Sequence, residues 1–198
     1  MRIFASRFVS LTDEEFDFFC GFFEEKQFKK KDILTREGEI ATYFYFIEQG
    51  AARSFFQKGK DEVVMEIALE NEVICCYESW LTKKLSKFSI EAIEPMIAFC
   101  LKQEDLETIF AYSPKFERLG RLFARDEYLK KAEFDYNRVR VSTEQRFIEF
   151  VKNNGPLIQR VPQKYLASYL NIKPETFSRM KHLLKKSNKS PLLAAALH

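Results

Sequence analysis

Val161-Pro162-Gln163-Lys164-Tyr165-Leu166-Ala167-Ser168-Tyr169-Leu170-Asn171-Ile172-Lys173-Pro174-Glu175-Thr176-Phe177-Ser178-Arg179 reads as two short helices joined by a tight turn. The first helix, from Gln163 to Leu170, turns Leu166, Ala167 and Leu170 inward. Asn171 falls where such a turn needs a residue that tolerates positive φ, and Pro174 suits the first position of a second helix. The small Ala167 where two helices would cross, the turn residue after it, and then Ile172, Phe177 and Met180 form the spacing of a helix-turn-helix. At about 100° per residue, Ser178, Arg179, His182 and Lys186 lie within about 60° of Glu175, whereas Phe177, Met180 and Leu184 lie about 140–200° away. One face is a core; the other is polar.

That polar face has the chemistry of a major-groove reader. Arg179 can pair with guanine, Glu175 can accept from cytosine, and Ser178 and His182 stand beside them. Lys164, Lys173, Lys181, Lys185 and Lys189 supply cations for phosphate contacts that fix register without reading sequence. Charge agrees. The net charge of the 198 residues is +3, but residues 1–141 sum to −4 and residues 142–198 to +7. An acidic first part joined to a basic last quarter suits contact with a polyanion. The other reading of the segment is a small helical bundle with a solvated polar face.

Upstream, Ser142 or Thr143 caps a helix reaching Lys152, and Asn153-Asn154-Gly155-Pro156 ends it. Leu157 to Val161 reads as a short strand. Before this, a proline-free pattern runs from Lys115 to about Asn137, with Phe116, Leu119 and Phe123 at helical spacing and Leu122, Leu129 and Tyr136 repeating by heptad. A helix of about 20 residues is ~30 Å long. Its apolar positions fall on two faces, which favours a seam between two copies over packing within one chain. Arg138 to Val141 reads as a hinge, and Leu106, Ile109 and Phe110 as a short helical face closed by Ser113-Pro114.

The first part is β-rich. Leu11-Thr12-Asp13-Glu14-Glu15-Phe16 opens a helix with Thr12 as N-cap, Glu15 completing a capping box and Leu11 stapled to Phe16, its apolar face continuing through Phe19 and Phe23. Short strands are predicted at Ile33-Leu34, Thr42 to Ile47, Ala52 to Phe56, Val63 to Ala68 and around Pro95 between Ser89 and Phe99, punctuated by Gly38, Gly50 and Gly59. The fold class is therefore α+β: an N-terminal antiparallel, jelly-roll-like β-roll, a long dimerisation helix and a C-terminal helix-turn-helix domain. The expected divisions are 1–114, 115–137 and 138–190. Residues 191–198 resemble an expression-vector tail.

Other functions find little support. There is no phosphate-binding Walker loop, GxGxxG or HExxH, and Glu66, Glu72 and Glu78 read as roll or surface carboxylates, so no enzyme is expected. Cys20, Cys75, Cys76 and Cys100 make no CxxC pair, and only His182 and His198 exist; buried free thiols and no metal site are expected. No apolar run approaches the ~20 residues of a membrane span, and no signal peptide opens the chain, so a cytoplasmic location is expected.

These features resemble the Crp/Fnr family of bacterial transcription regulators. The stretch quoted first is the most specific match, and Tyr45-Phe46-Ile47-Glu48-Gln49-Gly50-Ala51-Ala52-Arg53 fits the roll of such proteins. The resemblance implies a homodimer with paired long helices, recognition helices reading a palindrome in double-stranded DNA, base reading by Glu175, Ser178 and Arg179, and RNA polymerase as a further partner. An effector pocket would be flanked by Tyr77, Trp80 and Phe88, with Glu72, Lys87 and Ser89, although core packing would explain the same aromatics. Family members that bind cyclic AMP use a Gly-Glu pair and an Arg-Ser pair; here Asn71-Glu72 stands first, and Leu85-Ser86-Lys87-Phe88-Ser89 has no arginine. Cyclic AMP is therefore not expected and the effector is open; no cofactor is identified. Cys20 alone cannot replace a cysteine cluster for iron–sulfur, and the wing hairpin after the recognition helix is not evident. The alternative class is a ligand-sensing or protein-interaction module without specific DNA binding.

Overall fold

The computed structural model describes residues 1–186; Lys189, the tail at 191–198 and the region after α9 where the wing hairpin is not evident in the sequence lie outside the described residues. The chain forms two compact units, one of residues 1–61 with 65–128, the other of 62–64 with 129 onward.

The first unit begins with helices α1 (Arg2–Ser6) and α2 (Asp13–Cys20). Thr12 caps α2 as expected: its hydroxyl accepts from Glu15 N–H, while the Glu15 carboxylate accepts from Thr12 N–H at 2.8 Å. The helix stops at Cys20, so Phe23 opens strand β1 (Phe23–Phe28) instead of extending the α2 face. Then come β2 (Ile33–Thr35), β3 (Tyr43–Gln49), β4 (Ala52–Lys58), β5 (Asp61–Ala68), β6 (Val73–Ile74), helix α3 (Tyr77–Thr82), β7 (Ser89–Ala92) and β8 (Met96–Lys102). They form two four-stranded sheets, β1-β8-β3-β6 and β2-β7-β4-β5. In the first, β8 is central and antiparallel to both neighbours, with Lys26 opposite Ala98 and Tyr45 opposite Cys100. In the second, Ala52 pairs with Ala92 and Arg53 with Glu91.

Small and branched side chains meet between the strands: Ile47, Ala52, Ile74, Ile90, Ala92 and Ala98 are buried. Gly50 makes the β3–β4 turn possible. Its φ is 95°, and a Cβ there would lie 2.4 Å from the Pro95 carbonyl oxygen. Arg53 is also buried, its Nε donating to Glu91 at 3.2 Å and its guanidinium lying 4.0 Å from the Phe55 ring centroid. The cysteines are free thiols; burial pushes Cys76 up to about 11 and Cys100 up to about 12, so both stay protonated at neutral pH.

After the roll come α4 (Leu106–Tyr112) and the long helix α5 (Pro114–Arg140). The units divide within α5, between Tyr128 and Leu129, where the sequence led us to expect a separate segment, and α5 continues through Arg140 where a hinge was expected. Phe116, Leu119 and Phe123 are buried within the first unit; Phe116 stacks on Phe19 with ring centroids 5.4 Å apart.

The second unit continues with α6 (Thr143–Asn153), α7 (Gly155–Arg160), α8 (Gln163–Tyr169) and α9 (Pro174–Lys186). Leu157 to Val161, expected as a strand, is helical up to Arg160. Gly155-Pro156 opens a new turn of helix there, and Val161 N–H donates to Leu157 O at 2.9 Å. Ile158 and Val161, three residues apart, are both buried, whereas a strand would have turned them to opposite faces. Among the described residues, no helix is long and apolar enough to cross a membrane.

Candidate nucleic-acid interface

The α8–α9 elbow follows from Ala167 and Asn171. Ala167, fully buried, leaves room where the helices cross. Asn171 takes the left-handed φ of 55° that closes the turn. Asn171 N–H then donates to Ser168 O, and Ile172 N–H to Ala167 O, each at 2.9 Å. This pair of bonds is the Schellman closure of a helix C-terminus. Beyond it, Phe177 N–H donates to Lys173 O at 3.0 Å and α9 begins. A further tie joins the two helices, Gln163 Nε2 donating to Pro174 O at 3.2 Å.

Packing fixes which way α9 faces. Phe177 is 1% exposed, edge-on to Phe147 of α6 with ring centroids 5.0 Å apart. Leu166, Leu170 and Val151 fill the same core. α6 is capped by Ser142, whose hydroxyl accepts from Gln145 N–H at 3.2 Å. Tyr169 packs against Phe150 and against Phe134 of α5.

With Phe177 inward, Glu175, Ser178, Arg179 and His182 are all exposed on one face of α9. Of the lysines assigned to backbone contact, Lys164 and Lys173 are exposed and Lys181 is half-buried. Lys185 lies on α9, but its side chain, like Lys189, lies outside the description. Glu175 stands in the first turn of α9, where a carboxylate complements the positive end of the helix dipole. Sequence reasoning missed Arg146, which reads as an ordinary surface cation of an amphipathic helix. It is half-buried, donates to Leu170 O at 3.5 Å and Thr143 Oγ1 at 3.4 Å, and carries a buried Nε with no partner among the described residues.

The expected seam residues separate. Phe116, Leu119 and Phe123 belong to the first unit's core, Leu122 is half-buried, and Leu129 and Tyr136 are exposed. Leu129, Ala132, Tyr136 and Val139 make an exposed stripe at heptad spacing along the second half of α5.

The expected effector residues separate too. Tyr77 and Trp80 sit on α3 with ring centroids 5.9 Å apart, and Trp80 is buried. Phe88 is half-buried against the roll core, and the Ser89 hydroxyl accepts from Glu37 N–H at 2.9 Å. The Glu72 carboxylate accepts from Leu69 N–H at 2.9 Å. Lys87 is exposed and held by Glu78 at 2.7 Å, which lowers the Glu78 pKa below the ordinary glutamate value.

Residues 25–113 match the family model of the cyclic nucleotide-binding domain. Among solved structures, the chain is similar to FixK2 from Bradyrhizobium japonicum, at 18% identity and TM-score 0.73 over 83% of this chain and 85% of that one. It is similar to a CooA mutant from Carboxydothermus hydrogenoformans, at 17% identity and TM-score 0.67 over 85% and 79%. It is also similar to the catabolite activator protein of Thermus thermophilus, at 21% identity and TM-score 0.54 over 95% and 94%. No curated protein matches the sequence.

The domain match raises the question of a cyclic nucleotide. A buried cyclic phosphate needs close backbone approach and charge-assisted donors. Asn71 occupies the left-handed position with φ 64°, Glu72 is turned onto Leu69, and the Lys87 ammonium is held at the surface by Glu78. The expected set gives no cationic cradle, so these residues do not fit that phosphate. In fold, then, the chain is similar to these proteins, and its residues 25–113 match the cyclic nucleotide-binding domain.

Proposed function

We propose that this protein is a DNA-binding transcription regulator of Crp/Fnr type, reading a palindromic site in double-stranded DNA as a homodimer in the cytoplasm. Glu175, Ser178, Arg179 and His182 read base edges, and Lys164, Lys173, Lys181, Lys185 and Lys189 hold phosphates. The carrying observation is the division of α9, with Phe177 buried and those four polar side chains exposed together. Homodimer formation is supported by the stripe of Leu129, Ala132, Tyr136 and Val139, too apolar to be left in water by preference. RNA polymerase is the expected partner at the promoter, and no catalytic role is assigned. The effector is something other than cyclic AMP.

Binding to a library of genomic fragments tests the reading. Specific fragments bind at least 1,000-fold more tightly than random duplex, on the order expected for specific recognition, and log K falls by ~0.9 per phosphate neutralised as log salt rises. Equal affinity for every duplex would defeat the specific-regulator reading and leave a sensing or interaction module. Arg179→Ala relaxes one base position at a cost of ~1–3 kcal/mol, whereas Lys185→Ala weakens all sequences alike.

A further inference from the structure

The exposed stripe on α5 has a regular beginning. Leu122 and Arg125 precede Leu129, Ala132, Tyr136 and Val139 at alternating spacings of three and four residues, which are the core positions of a coiled-coil heptad. The side chains that α5 turns toward its own chain lie elsewhere on the helix. Phe116 and Phe123 are buried in the first unit, and Phe134 meets Tyr169 of α8 with ring centroids 5.3 Å apart. At about 100° per residue, these three lie roughly 100–160° from Leu122, Leu129 and Tyr136. Packing within the chain therefore leaves Leu122 half-buried and the other five stripe positions exposed.

Charges along the edges of the stripe say how a second copy fits it. In a parallel pair of helices, the residue before one core layer faces the residue after the next layer of the other helix, five places on. Here that sets Arg121 against Asp126 and Asp135 against Arg140, opposite charges at both sites. Between them Tyr128 faces Glu133, a hydroxyl donor opposite a carboxylate. Reversing one helix over the same stripe instead sets Asp126 against Glu133, twice, and leaves Arg121 and Arg140 opposite no carboxylate. Like charges so placed oppose association.

The four charged residues are placed to act between copies. Arg121 and Arg140 are exposed, and Asp126 and Asp135 are half-buried. Within the chain Asp126 meets Arg7 at 3.4 Å, Asp135 meets Lys131 at 2.8 Å, and Arg140 donates to the Tyr136 hydroxyl. A carboxylate accepts several hydrogen bonds and a guanidinium donates several, so each has capacity for a further partner. Arg125 is the one charge within the stripe. It falls beside Asp126 of a parallel second copy, and a polar residue at one core position fixes register at some cost in stability.

We propose that Arg121, Asp126, Asp135 and Arg140 select the partner of α5: a second copy of this chain, parallel and in register, joined by Arg121–Asp126 and Asp135–Arg140 ion pairs across the seam. The inference rests on the homodimer reading and adds which residues choose the partner and its direction.

Sedimentation of the full-length protein without DNA tests the charge code. Arg121→Glu sets carboxylate against carboxylate, and Asp126→Arg sets cation against cation, twice in each dimer. Each variant alone dimerises about 10- to 100-fold more weakly than the unaltered chain, the size of two exposed pairs turned from attraction to repulsion. Mixed in equal amounts, the two variants regain opposite charges at both places, and a heterodimer forms with close to the unaltered affinity. Damage to the fold of either variant gives no such recovery. Should Asp126→Arg fail to fold for want of its Arg7 contact, Asp135→Arg mixed with Arg140→Glu repeats the test at the second site. Direction is read from Val139→Cys, with the unaltered chain as control for the native thiols. A parallel copy brings the two introduced thiols together, and diamide, itself reduced to the hydrazine, oxidises them to an intermolecular disulfide; an antiparallel copy sets each opposite Leu122 and yields none. Single variants that dimerise like the unaltered chain, no recovery on mixing, or no disulfide would overturn the proposal and leave the dimer reading standing. A chain that stays monomeric at every concentration would overturn both.

Discussion

Phe116, Leu119 and Phe123, from the first half of α5, are buried, whereas Leu129 is 55%, Tyr136 56% and Val139 86% exposed in its second half. One continuous helix therefore carries two apolar stripes with different fates. The first is covered by its own chain: Phe18, Phe19 and Tyr112 pack around Phe116, and Phe4, Phe8 and Phe44 around Phe123. The second has few such neighbours, although Phe134 of the same stretch meets Tyr169. Heptad spacing says that a stripe needs a partner; it does not say whether that partner is in the same chain.

Substitutions can break or sharpen this contrast. The largest effect is expected from Phe116→Ala, at about 3–5 kcal/mol of unfolding free energy. Phe177→Ala carries a similar cost in the second unit and, through loss of the α6–α9 contact, also abolishes the proposed DNA binding. Urea unfolding by circular dichroism measures both, and a loss below ~1 kcal/mol for Phe116→Ala would mean that the first stripe is not core. Gly50→Ala comes next. The left-handed backbone alone costs about 1–3 kcal/mol, and the close approach to Pro95 adds to it. Thr12→Ala and Ser142→Ala each remove a helix cap worth about 1 kcal/mol, read in the same melts. The smallest effect on the protomer is expected from Leu129→Ala with Tyr136→Ala, within about 0.5 kcal/mol at protein concentrations too low for self-association. Sedimentation at higher concentration should show the same double variant losing dimer. An unchanged sedimentation profile would remove the second stripe from any role between copies.

How much of this was legible in the sequence depended on how strongly each segment announces its own period. The α8–α9 elbow was readable because Ala167, Asn171 and Pro174 each have a separate steric reason for their place, and all three agree. Strands β3, β4 and β5 were readable from aromatic and branched residues between turn glycines. β1 was not: Phe23-Glu24-Glu25-Lys26-Gln27-Phe28 is an edge strand paired only to β8, with its middle largely in water, so it lacks the apolar signature of a half-buried strand. α3 has no side-chain cap at Cys76 and ends at Lys83, with φ 59°, so neither end carries a familiar signal. Leu157 to Val161 misled because its apolar residues suit either a short strand or a turn of helix. The face of α9 was derived by angle and position, whereas the stacking of Phe19 on Phe116, from segments far apart in sequence, left no local pattern to read.

The turn between α8 and α9 closes on two backbone bonds and is braced by the Gln163 side chain on Pro174 O, with Phe177 anchoring it from behind. Apart from the Glu175 carboxylate at the positive end of the helix, the outward side chains of α9 are not among these ties. They form an interchangeable set: new combinations at Glu175, Ser178, Arg179 and His182 can alter what the helix selects while the scaffold beneath stays intact. A lineage can therefore drift from one target to another by surface replacements, without passing through an unfolded ancestor.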